Sequence, residues 1–156
     1  MNRTLKLIIS IAIPITVGAI AGFFTSSSVN TWYATLNKPT FNPPSWVFGP
    51  AWTTLYILMG IAFYLVWKSA SKTELKQKAI LFYFVQLVFN FAWSFIFFYA
   101  QQPGWALVEI CFLWLFILIT LFYFSKISST AAWLLVPYAC WVTFATVLNY
   151  FIWYLN

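Results

Sequence analysis

Trp52 and Tyr56 stand four residues apart, and Gln86, Asn90, Trp93 and Phe97 follow one another at steps of four, three and four. Trp141, Ala145, Leu148 and Asn149 recur in the same manner further on. Each set falls on one face of a helix. These side chains can stack, pack and share amide hydrogen bonds, but they cannot run acid–base chemistry. The chain has no His, which removes Ser-His-Asp and Cys-His catalysis and His-ligated zinc or haem. Its only acids, Glu74 and Glu109, lie in separate segments, which argues against paired-carboxylate hydrolysis. No phosphate-cradling Gly loop occurs, and no metal site is expected. Cys111 and Cys140 lack CxxC spacing and read as buried, unreactive thiols. With 24% of its residues aromatic, the chain is suited to holding a large, flat, apolar molecule.

The elements that must position these rings are membrane spans. The sequence is 63% hydrophobic and 6% charged, against about 25% charged in a soluble domain. Five apolar runs are each long enough to cross a hydrocarbon core of about 30 Å as a helix. Strand-like alternation is absent, so helices are the only spanning form left. The expected fold is an all-α integral membrane protein, a five-transmembrane-helix bundle forming one domain over residues 1–156. Helices are expected at about 6–24, 46–67, 79–100, 105–125 and 131–154, with a connecting loop at about 26–45. The first run follows Arg3 and Lys6 like a signal peptide, but it is long for one and no small-residue cleavage site follows; it reads as a retained helix.

Five spans put Arg3, Lys6, Lys68, Lys72, Lys76, Lys78 and Lys126 on one side and Lys38 alone on the other. The positive-inside rule then places the N-terminus in the cytoplasm of a bacterial cell, in its cytoplasmic membrane. The net charge of +6 is read as anchoring to anionic membrane lipid, not to nucleic acid.

Several positions stay open on the residues alone. Gly18 and Gly22 suit close packing inside the bundle or a dimer face. Pro14 and Pro137 should bend their helices, and Gly49-Pro50 should interrupt or kink the first turns of the second. Gln86 and Asn90 either hydrogen-bond between helices or present an amide to a ligand. Trp105 shares a face with Glu109, which could pair with Lys38, hold a helix end or meet a ligand. Trp52 reads as a pocket wall beyond the interfacial Trp46. Trp141, with the small Ala145 before Leu148, leaves a slot beside its ring. The loop WYATLNKPTFNPPSW is unlike a polar Gly/Ser linker. Pro39, Pro43 and Pro44 restrict its backbone, while Trp32, Tyr33 and Phe41 give it an apolar underside, so it is expected to form a lid.

The stretches WYATLNKPTFNPPSW, WTTLY, QLVFNFAWSFIFF, GWAL and LLVPYACWVTFATVLNY, in that order from about residue 30 to 153, resemble the tryptophan-rich sensory protein/translocator protein family, the group containing the peripheral-type benzodiazepine receptor. The resemblance implies a homodimer of five-helix chains. It implies a pocket open toward the first loop that takes porphyrins, protoporphyrin IX or haem, as ligands without an obligatory cofactor. Trp52 and Trp141 match the tryptophans tied to porphyrin binding and its light-dependent degradation. Asn90, Trp93, Trp105, Ala145 and Leu148 match other ligand-contacting positions. A receptor or translocator is the first reading; a light- and oxygen-dependent porphyrin-degrading enzyme and a structural or lipid-organising protein are the alternatives. The sterol pattern of animal members is broken, because Tyr154 stands where their basic residue would be. That departure and the charge asymmetry suit a bacterial member.

Overall fold

A computed structural model describes residues 2–156. Its elements are α1 (Arg3–Asn30), a single turn α2 (Trp32–Thr35), a 3-10 turn (Ser45–Val47), α3 (Phe48–Lys68), α4 (Thr73–Ser94), α5 (Pro103–Ser125) and α6 (Ser129–Leu155). Five helical segments are long and apolar enough to cross a membrane, and the chain is an integral membrane protein. They close into a ring in which α1 packs on α3, α3 on α6, α6 on α5 and α5 on α4, with the far end of α4 returning to α1.

Local chemistry fixes the ends. The side chain of Asn2 accepts from Thr4 N–H and that of Ser128 from Ala131 N–H, each supplying a partner for a first-turn donor. Pro103 opens α5, where its missing N–H costs nothing. Gly49 and Pro50 sit in the first turn of α3, where no backbone donor is needed, and the irregularity expected in the first turns of this span is the 3-10 turn just upstream of them. The first helix runs on past residue 24 to Asn30. Thr25, Ser26 and Thr31 donate their hydroxyls to carbonyls one turn back, so this polar stretch stays helical. At its end, α4 widens into a π turn over Phe95–Tyr99, a distortion that frequently marks functional sites.

The tightest crossing joins α1 to α3. Pro14 removes the donor that would meet the Ser10 carbonyl, and this carbonyl packs against Gly60. Gly18 faces the ring of Tyr56 so closely that a Cβ would lie 2.2 Å from it. Of the two readings of Gly18 and Gly22, packing inside the bundle describes Gly18, whereas Gly22 has nothing within 4 Å of where its Cβ would be. The helices therefore diverge toward the loop end. Cys111 and Cys140, expected to be buried, are exposed; among spanning helices an outward apolar side chain meets lipid, so hydrophobicity alone does not drive it inside.

Candidate functional site

The divergence of α1 from α3 opens a cavity of about 490 Å³ in the loop-end half of the bundle, within the range of about 300–1,000 Å³ usual for small-molecule sites. Trp52 and Tyr56 from α3, Trp93 from α4, Phe97 from the π turn and Trp141 and Leu148 from α6 line it, and Gly18, Gly22 and Ser26 of α1 form the remaining wall. The ring centroids of Trp52 and Trp141 lie 6.4 Å apart at 85°. Trp52 also stacks on Tyr56 at 5.6 Å and approaches Trp93 at 6.4 Å. Among the described residues no charged side chain lines the cavity; its polar groups are hydroxyls, amides and indole N–H groups, with Thr25, Ser26, Asn30 and Ser45 toward the loop end.

A polar layer closes the floor. Tyr56 donates to Asn90 Oδ1 at 2.6 Å, Asn90 Nδ2 donates to Tyr138 at 3.0 Å, and Tyr138 donates to Gln86 Oε1 at 2.7 Å. Asn90 is buried and does not line the cavity; its amide serves as the interhelical tie of the two readings left open. Replacing Asn90 with leucine leaves the buried Tyr56 hydroxyl without a partner, at about 1–3 kcal/mol for an unsatisfied group, and takes from Tyr138 the bond it accepts while its donation to Gln86 remains. Asn90→Leu should accordingly lower the thermal midpoint in detergent well below that of Asn90→Gln. A second tie sets the wall: Trp93 Nε1 donates to Asn149 Oδ1 at 3.0 Å, and Asn149 Nδ2 donates to the Pro103 carbonyl at 2.8 Å. Asn149 fixes both the Trp93 ring and the start of α5.

The loop is folded over this end. Tyr33 is buried, lines the cavity, donates to Asn42 Oδ1 at 2.6 Å and packs against Phe48 and Phe98. Trp32 rests on Phe97 of the π turn, and Phe41 on Phe144 and Phe151 of α6. Asn37 and Asn156 exchange hydrogen bonds at 2.9 Å, joining the loop to the end of α6. The Pro39 carbonyl accepts from Asn42 N–H, forming a turn, and Pro43 faces a shallow outer groove between α3 and α6. Among the loop residues singled out from the sequence, Tyr33 alone reaches the cavity; Trp32, Pro39, Phe41, Pro43 and Pro44 lie outside its lining.

Burial pushes the Tyr33 hydroxyl up to about 12, with the Asn42 contact opposing it. A phenol whose folded value exceeds its unfolded value of about 10 stabilises the closed loop fully below pH 10, and that stabilisation is lost as pH rises toward 12. Tyr33→Phe, lacking the group, should remove that alkaline step. Limited proteolysis of the loop between pH 8 and 11.5 reads the difference.

Trp105, grouped with the ligand-contacting positions by resemblance, is 70% exposed and lies outside the cavity. The buried face of α5 is carried by Ala106, Ile110 and Leu113, which turns Trp105 outward to the membrane. Glu109 does not meet Lys38: both its carboxylate oxygens are buried and unpartnered, while Lys38 Nζ donates to the Tyr33, Ala34 and Leu36 carbonyls. Among the described residues no cluster of acids or thiols has the arrangement of a metal site. Sequence reasoning missed the α1 wall, where Gly22, Thr25 and Ser26 carry no aromatic signal.

A family model for the TspO/MBR family matches residues 10–155. The chain is 44% identical over 152 residues to the tryptophan-rich protein TspO of Archaeoglobus fulgidus, covering 97% of each chain. It is 41% identical over 157 residues to the protein of the same name from Chlorobaculum tepidum, covering 100% of this chain and 99% of that one. To the human translocator protein it is 46% identical over 123 residues, 78% of this chain and 73% of the relative. With a family model spanning nearly the whole chain and relatives of this identity matched almost end to end, the chain belongs to the TspO/MBR family.

Proposed function

We propose that this protein is a membrane receptor or translocator that takes a porphyrin, protoporphyrin IX or haem, or another flat apolar molecule into the cavity beneath its first loop. The observation that carries this reading is the convergence of Trp52 and Trp141 on one cavity without a charged lining residue. Perpendicular indoles offer one face for stacking and one edge for lateral contact with a planar ring system. With no His in the chain, haem iron would lack its commonest protein ligand, so metal-free porphyrin suits the site at least as well. The porphyrin is a ligand here and not a resident cofactor. The chain is placed in the bacterial cytoplasmic membrane with its N-terminus inside, on the lysine asymmetry, and its outward apolar helix faces suit pairing with a second copy.

The test is a titration with protoporphyrin IX in darkness, following Trp fluorescence. Saturable quenching weakened by Trp52→Phe or Trp141→Phe supports the reading; quenching that never saturates leaves a packing or lipid-organising protein. The contact between Trp52 and Trp141 favours a second reading, oxidation of the bound porphyrin by dioxygen under light with these rings as redox partners. Illumination of the complex in air, giving a product that requires both tryptophans, would establish it.

A further inference from the structure

At the opposite end of the bundle, a pocket of about 450 Å³ gathers Arg3 from the start of α1, Lys68 and Ser69 from the end of α3, and Ser128 from the start of α6, with Tyr64, Leu65 and Ile127 as its apolar side. Lys68 Nζ lies 4.9 Å from the centre of the Tyr64 ring, which holds the ammonium at the pocket edge. Neither cation has a carboxylate partner: among the described residues the one ion pair is Lys78–Glu74. The hydroxyl oxygen of Ser128 accepts from Ala131 N–H, leaving its proton to donate, and the first-turn N–H groups of Ser129 and Thr130 have no intrahelical acceptor. Two unpaired cations and the free hydroxyl donor of Ser128, at the start of α6, therefore line one pocket beside an apolar wall.

We propose that this pocket binds the phosphate of an anionic phospholipid. Its donors fit the tetrahedral oxygens of a phosphodiester. The position fits a lipid and not a diffusing anion, because the pocket lies where three spanning helices end and its apolar side continues toward the acyl region. The site is separate from the Trp-lined cavity and shares no lining residue with it.

The experiment is native mass spectrometry of the full chain released from detergent containing equal phosphatidylglycerol and phosphatidylcholine. The wild-type chain should retain one phosphatidylglycerol, preferred by about fivefold to 25-fold, since each of the two basic residues contributes a factor of roughly five near the surface. Arg3→Gln/Lys68→Gln should abolish the preference, while Lys72→Gln/Lys126→Gln, removing the same charge outside the pocket, should keep it. Unchanged thermal midpoints would show that both double variants are folded. Equal loss in both would overturn the site in favour of diffuse attraction. Retention of both lipids alike, or complete displacement of phosphatidylglycerol by excess inorganic phosphate, would overturn it as well.

Discussion

Gly60→Val should prevent recovery of a folded, monodisperse protein. A Cβ at this position would lie 2.5 Å from Ile11 Cα and 2.8 Å from the Ser10 carbonyl oxygen. Both are main-chain atoms, so the clash is relieved only by moving α1 away from α3. Overpacking a well-filled interior costs about 1–3 kcal/mol even where side chains can shift, and here the obstacle is a helix backbone. The Ser10 hydroxyl is itself buried without a partner, so the crossing has little stability to spare. The other glycines make a graded series. Gly18→Ala meets the Tyr56 ring, which could move but for its hydrogen bond to Asn90, and should cost less than Gly60→Val. Gly22→Ala meets nothing within 4 Å and should stay within about 0.5 kcal/mol of the parent. Thermal midpoints in one detergent read the order; a Gly60→Val chain as stable as Gly22→Ala would refute the crossing.

Trp52→Ala and Trp141→Ala should each weaken protoporphyrin IX binding by about 2 kcal/mol, roughly 30-fold in Kd. Under the proposed function each change removes a ring offered to the ligand for stacking and enlarges a cavity that was already of small-molecule size. The two effects should not add. The ring centroids lie 6.4 Å apart and both rings line the one cavity, so the double variant should lose less than the sum. Trp105→Ala is the matched control, since that ring lies outside the cavity, and its Kd should stay within about threefold of the parent. Dark titrations of the four chains by fluorescence or calorimetry decide it. A Trp105→Ala loss as large as that of Trp52→Ala would move the site elsewhere.

The number of spans was legible because length and apolarity survive any solvent; the pairing of Trp52 with Trp141 came from the family resemblance, since spacing along one helix does not say which helix it faces. Helix rotation was not legible. In water a polar stripe tells which face is outside, but a lipid-facing side is as apolar as a buried one, and Trp105 reads like Trp93 in such a helix. Polar residues were better guides: Asn90 and Asn149 had to find partners and did. Gly49-Pro50 marked the irregular start of its span, but whether the break falls on these residues or just before them is a matter of one or two residues. The lysine of the loop, Lys38, was available in sequence for a ligand or for Glu109, yet it is consumed by carbonyls within five residues of itself.

The layer formed by Tyr56, Asn90, Tyr138 and Gln86 carries one more implication. It makes the Trp-lined space a blind pit and not a tunnel: guests must come and go by the loop end or the gap between α1 and α3. Through-passage would require four buried side chains on three helices to release one another together. The resting architecture is that of a berth, and moving a guest through to the other side would need this layer to open.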